Sequence, residues 1–268
     1  ERLGRFALVG EEDAADLRSP DAARMLAAIT DLVAPALPHL AVTPDRVTEW
    51  ISAGGAEPAD HDRFWTLDPI DGTKGFLRGD QYAIALALID GGEVVAGVLG
   101  CPNLPNPNGS HGALFAASAG ACHAWYGDDG QPVAVLPSPT TDVRAGRVCE
   151  SVESGHSDQG QSAEIARLLG ISAEPFRIDS QCKYAAIARG DADIYLRLPT
   201  RADYREKIWD HAAGKFVVEQ AGGTVTDVTG APLDFTHGRR LERNAGVIAT
   251  SGTIHAEVVS AVQTVLNR

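Results

Sequence analysis

Residues 65–73 read Trp65-Thr66-Leu67-Asp68-Pro69-Ile70-Asp71-Gly72-Thr73. With Phe64, the first three predict a buried strand, because aromatic and β-branched side chains suit a pleated, half-buried surface. The strand runs into two aspartates three positions apart. Pro69 restricts the backbone between them and Gly72 permits a bend, so a tight turn is expected. Such a turn places two carboxylates and one free carbonyl around it. The Thr73 hydroxyl and the amides after Gly72 are placed to face an anion there. Phosphatases that form an aspartyl-phosphate carry D-x-D-G-T, with the aspartates two apart. The wider spacing here makes both acids ligands, which predicts attack by metal-activated water with no phospho-enzyme.

Two more acids occupy comparable positions. Phe6–Gly10 predicts a short strand that ends at Glu11-Glu12-Asp13. Ile208-Trp209-Asp210-His211-Ala212-Ala213-Gly214 opens a helix that stops at Gly222-Gly223. Taken singly, Glu11 fits a solvated loop acid and Asp210 fits an N-cap. Taken with Asp68 and Asp71, they are carboxylates at strand ends and helix starts, where sites collect in α/β folds. If the four converge, their charges repel unless they protonate or hold cations. Hard oxygen donors without histidine or cysteine suit Mg²⁺.

The rest of the chain alternates strands and helices. Ser19-Pro20 and Thr43-Pro44 are helix starts, an N-cap followed by proline at the first helical position. Residues 82–89 and 94–99, separated by Gly91-Gly92, predict a hairpin. Residues 113–126 and 131–137 extend the same sheet, and Ser138–Thr141 is the candidate linker. From Arg147 onward strands (147–151, 175–178, 194–198, 224–228, 245–250) alternate with helices (162–169, 183–189, 208–221 and a terminal one). The expected organisation is an N-terminal α+β half, residues 1–141, and a C-terminal α/β half, residues 142–268, with the site between them.

Composition narrows the function classes. The 268 residues include 23 basic and 36 acidic side chains, a net charge of −13. No basic stripe is present to follow a nucleic-acid backbone, so nucleic acid is not an expected partner. A small anionic ligand is compatible, because bound cations reverse the local sign. No apolar run of membrane-spanning length occurs, and the N-terminus has no signal-peptide core. The four cysteines have no C-x-x-C spacing and read as thiols of a reducing compartment. The expectation is a cytoplasmic, monomeric enzyme without membrane attachment.

The segments Gly10–Asp13, Trp65–Thr73 and Trp209–Gly214 resemble the three metal-binding signatures of the lithium-sensitive, Mg²⁺-dependent phosphatases of the inositol monophosphatase superfamily. Further segments are similar to the 3′(2′),5′-bisphosphate nucleotidases of that superfamily: Lys74–Tyr82, Gly97–Asn103, Glu150–His156, Asp179–Tyr184 and Tyr195–Pro199. The resemblance implies a layered αβαβα sandwich. It implies removal of the 3′-phosphate from adenosine 3′,5′-bisphosphate and from 3′-phosphoadenylyl sulfate, a step of sulfur metabolism. The rivals are an inositol phosphate phosphatase of the same superfamily and a catalytically weak nucleotide-binding relative.

By the same resemblance, Glu11, Asp68, Asp71, Asp210 and the Ile70 carbonyl hold two or three Mg²⁺ ions. Thr73 helps activate water and, with Asp210, borders the substrate. His156, Ser180, Lys183 and Arg197 contact the nucleotide. A bisphosphate carries two phosphates, and if metal takes one, the other needs cations such as Lys183 and Arg197. The family carries an N-terminal helical region before the Gly-Glu-Glu strand, with an aspartate that pairs with the threonine equivalent to Thr73. Ten residues precede Glu11 here. The expectation is a fragment or a truncated protein, with reduced turnover, or else a chain in which another carboxylate such as Glu11 substitutes.

Overall fold

The computed structural model describes residues 6–127, 130–152, 159–201 and 203–267. Two sheets organise it. The first runs β1 (Ala7–Gly10), β2 (Arg63–Asp71), β3 (Ala83–Asp90), β4 (Glu93–Pro105), β5 (His111–Ser118), β6 (Ala121–Tyr126) and β7 (Val133–Ala134), in that spatial order. Only the β1–β2 pair is parallel. The second contains β8 (Val148–Glu150), β9 (Phe176–Arg177), β10 (Ile194–Arg197), β11 (Thr224–Thr226) and β12 (Val247–Thr250), ordered β11-β12-β10-β8-β9. The chain passes between the sheets through the extended stretch that holds Ser138–Thr141.

Side-chain alternation explains the layers. In β10 and β12, Tyr195, Val247 and Ala249 join a core shared with the first sheet. Their neighbours Ile194, Leu196 and Ile248 face a second core on the far side. The shared core holds α5 (Cys182–Arg189) and α6 (Ala212–Ala221). Small residues let both helices fit between two sheets, and Cys182 to Ala188 are all buried. The far core is closed by α4 (Gln159–Leu168) and α7 (His255–Leu266), through Ile165, Val258 and Val262. The layered α/β arrangement holds, and the described order is sheet, helix pair, sheet, helix pair, where αβαβα was expected. Three helices lie before β3: α1 (Ala23–Ala36), α2 (Pro44–Ser52) and the short α3 (Thr73–Arg78). The outer face of the first sheet stays partly open among the described residues, with Ile84 43% and Leu114 44% exposed.

Three details depart from the sequence reading. Residues 113–126 split into β5 and β6 at Gly120, whose φ of 79° makes the turn. The helix expected from Ile208 begins as a 3₁₀ turn, Ile208–Asp210, before α6. The helix expected from Ser19 likewise opens with a 3₁₀ turn, Pro20–Ala22, where the Ser19 hydroxyl accepts from Asp21 N. No helix among the described residues is long and apolar enough to cross a membrane.

Candidate active site

The ladder between β2 and β3 pairs Asp68 with Ala85 and resumes with Asp71 opposite Ala83. Pro69 and Ile70 therefore face Ile84 alone, which is a β-bulge. The tight turn expected from D-P-I-D-G-T is a bulge inside the strand. Pro69 fits it because an unpaired position needs no N–H. The bend itself falls at Gly72, with φ 85°, where an added Cβ would lie 2.7 Å from the Ser180 Cβ. Backbone conformation and space both require glycine there.

The bulge turns its acids toward the carboxylate that precedes α6. Oxygen atoms of Asp68, Asp71 and Asp210 all lie within 4.8 Å of one another. Asp68 is 1% exposed, and its Oδ1 accepts the Ile70 N–H at 3.0 Å. Glu11, one residue past β1, lines the same cavity as these acids. Asp71 accepts the backbone N–H of Gln181. Burial, then the repulsion of Asp71 and Glu11, pushes the Asp68 carboxyl up to about 10. Burial also raises Asp71, against the pull of Lys183. It raises Asp210 well above the carboxylate range, with Asp71 adding to the effect. Acids crowded to this degree disfavour ionisation unless a cation joins them. The donors are all oxygen, so the set fits a hard divalent ion.

These acids line a cavity of about 390 Å³. Ile70, Thr73, Ser180, Lys183 and Arg197 line the same cavity. Every site position expected from the sequence reaches it except His156, which lies outside the described residues. Thr73 Oγ1 donates to the Ile70 carbonyl at 3.3 Å, and each oxygen keeps lone-pair capacity to accept another bond. Lys183, on α5, is 6% exposed, and among the described residues its ammonium has no carboxylate in ion-pair contact. It lies 5.3 Å from the centre of the Tyr195 ring. Burial lowers its pKa while Asp71 opposes the shift. Arg197 Nε donates to Glu206 Oε1 at 3.1 Å. The cavity thus brings acidic and cationic side chains together.

The sequence profile of the inositol monophosphatase family matches residues 28–267. The chain belongs to the inositol monophosphatase family. An Emericella nidulans protein named 3′(2′),5′-bisphosphate nucleotidase is 43% identical, over 97% of this chain and 81% of its own. An Oryza sativa protein of the same name is 46% identical, over 96% and 76%. The solved structure of the Thermotoga maritima IMPase superposes with a TM-score of 0.57 at 25% identity, covering 77% of this chain and 71% of that one.

Around its cavity, this member of the family uses residues that pattern reading did not single out. Gln181 is 2% exposed. Its side chain donates to the Trp209 carbonyl at 2.8 Å and accepts the Gly214 N–H at 3.0 Å. It therefore joins Asp71 on β2 to the start of α6. Glu206, His211 and Tyr184 form a buried chain. Glu206, an acceptor only, takes the His211 Nε2–H at 3.2 Å, which leaves Nδ1 to accept the Tyr184 hydroxyl at 2.7 Å. Glu206, Asp210 and His211 also fall within metal-ligand reach of one another. Glu206 and His211 are already engaged with Arg197 and Tyr184. The partner hydrogen bonds of His211 and Arg197 outweigh burial and hold the Glu206 carboxyl down at about 2. Only Glu206, a carboxylate four residues before Asp210 in Tyr204-Arg205-Glu206-Lys207-Ile208-Trp209-Asp210, offered a sequence signal.

Proposed function

We propose that this protein hydrolyses the 3′-phosphate of adenosine 3′,5′-bisphosphate, and of its 5′-sulfated form, 3′-phosphoadenylyl sulfate, with Mg²⁺. The observation that carries the reading is a single cavity lined by four carboxyls and by the two cations Lys183 and Arg197. A substrate with two separate anionic groups matches it. The relatives' shared name supports the same substrate.

Glu11, Asp68, Asp71, Asp210 and the Ile70 carbonyl would hold two or three Mg²⁺ ions. Bound there, Mg²⁺ supplies Lewis acidity toward a phosphate oxygen and toward water. The chain's own residues do the rest. Thr73 Oγ1, its proton committed to Ile70, offers a lone pair that orients an incoming water. Lys183 and Arg197 hold the 5′ group, and Ser180 borders the nucleotide beside Gly72. Asp68 and Asp71 are ligands with their backbone fixed by the bulge, which supports direct attack by water. Four buried, unpaired thiols favour a reducing, cytoplasmic setting.

The test is phosphate release from adenosine 3′,5′-bisphosphate with Mg²⁺ and with EDTA, beside inositol 1-phosphate. Mg²⁺-dependent release that favours the bisphosphate is expected. Faster release from the inositol phosphate overturns the substrate assignment. Tight bisphosphate binding without release overturns the enzymatic one.

A further inference from the structure

Arg239 lies in the loop between β11 and β12, outside the motifs that carry the family likeness, and joins the two halves of the metal site from behind. Its Nη2 donates to the Gly10 carbonyl at 2.5 Å, and its Nη1 to the Ala56 carbonyl at 3.0 Å. Its guanidinium carbon lies 4.8 Å from the centre of the Trp209 ring. Gly10 immediately precedes Glu11, and Trp209 immediately precedes Asp210. One planar group thus touches the residue before an acid from β1 and the residue before an acid from the α6 side.

The loop is itself anchored to the Asp210 segment. Ile208 N donates to the Arg239 carbonyl at 3.2 Å, and Leu241 N to the Glu206 carbonyl at 2.9 Å. Lys207 and Arg240 form a bridge between the same two stretches. The backbone of Arg239 therefore moves with Asp210, while its side chain grips the strand that presents Glu11. The close approach of Gly10 to Gly54, where a Cβ on Gly10 would lie 3.4 Å from the Gly54 Cα, leaves that strand end little freedom of its own.

We propose that Arg239 is a positioning residue that sets the spacing of Glu11 and Asp210 for divalent-cation binding. The inference rests on the reading of those two acids as metal ligands. The task calls for arginine. Two N–H groups reach two carbonyls while the flat face covers an indole, and a lysine ammonium offers neither the fork nor the face. An ordinary surface arginine on a tryptophan would contribute to stability alone, and the two roles separate by measurement.

The experiment is calorimetric titration of Mg²⁺ into the whole chain without substrate, for the unmodified protein, Arg239→Gln and Arg239→Lys, with thermal melts in EDTA alongside. Groups that orient metal ligands typically account for about 10–100-fold in metal affinity. Arg239→Gln is expected to weaken Mg²⁺ binding about tenfold or more, and the Mg²⁺ concentration for half-maximal turnover should rise in parallel. KM for the bisphosphate at saturating Mg²⁺ should move much less. Arg239→Lys, which keeps the charge and loses the fork, is expected to fall between the two, and it decides the matter if Arg239→Gln does not fold. Unchanged Mg²⁺ affinity in the folded variants, with only a lower Tm, overturns the proposal. So does an unmodified chain that binds no Mg²⁺. Normal Mg²⁺ binding that Arg239→Gln weakens, in a chain that releases no phosphate from the bisphosphate, leaves this inference standing and removes the substrate reading instead.

Discussion

Glu206 takes the Arg197 guanidinium at 3.1 Å with one carboxylate oxygen and the His211 imidazole at 3.2 Å with the other. The cation of the substrate cavity is thereby fixed to the residue that follows Asp210. Glu206→Gln keeps the shape and removes the charge, leaving Arg197 poorly compensated. Breaking a buried pair costs about 3–5 kcal/mol, and the partial exposure of Arg197 brings the expected loss to roughly 2–3 kcal/mol. The sign with pH follows from a depressed carboxyl. Its stabilisation is complete above about pH 4.5 and is lost as pH falls through about 2. Stability curves of the two proteins should be well separated at neutral pH and converge toward pH 2. Curves that stay parallel down to pH 2 would contradict the ion-pair assignment.

Lys183 is a buried cation that lines the cavity, and the proposed function gives it the second anionic group of the substrate. Lys183→Met removes about 1.5–3 kcal/mol of charge-assisted bonding, so KM for the bisphosphate should rise about tenfold or more. A substrate with a single phosphate should be affected far less. The same substitution relieves an ammonium of its burial, so the Tm of the ligand-free protein should hold or increase. Equal losses on both substrates, or a sharp fall in Tm, would count against this role.

The acidic cluster makes the metal-free protein sensitive to alkali. Asp68 is raised from 3.8 to about 10, so it opposes folding once it ionises. Its favourable contribution is full below about pH 4 and declines as pH rises toward 10. With EDTA, Tm should therefore fall from pH 6 to pH 9, and Mg²⁺ should raise it most at the alkaline end. Asp68→Asn should flatten the EDTA curve and abolish Mg²⁺-dependent turnover. A flat EDTA curve in the unmodified protein would refute the account.

Gly214 lies under the Tyr184 ring, where an added Cβ would meet Cδ2 at 2.2 Å. Gly214→Ala must displace Tyr184 and with it the hydroxyl that His211 accepts. Overpacking in a tight core costs about 1–3 kcal/mol. Circular dichroism melts should show a lowered Tm, and KM for the bisphosphate should rise because Arg197 loses its support through Glu206. A normal KM in the folded variant would show that the chain of contacts does not reach Arg197.

The sequence by itself determined the elements and the acids. Thr43-Pro44 starts α2 where expected, with the Thr43 hydroxyl accepting from Arg46 N at 3.3 Å, because capping is a contact between near neighbours. Asp68, Asp71, Glu11 and Asp210 were legible for the same reason, each set off by its flanking strand, glycine or helix start. The tertiary structure alone decided that Pro69 sits in a bulge, since an unpaired position exists only relative to β3. It alone decided the roles of Gln181, Tyr184 and Arg239. Gln181 meets Trp209 and Gly214 across 28 and 33 positions, and Arg239 meets Gly10 across 229. A glutamine or an arginine carries no local signature of a partner that distant. Only the packing of two sheets about α5 and α6 brings such partners within hydrogen-bond reach.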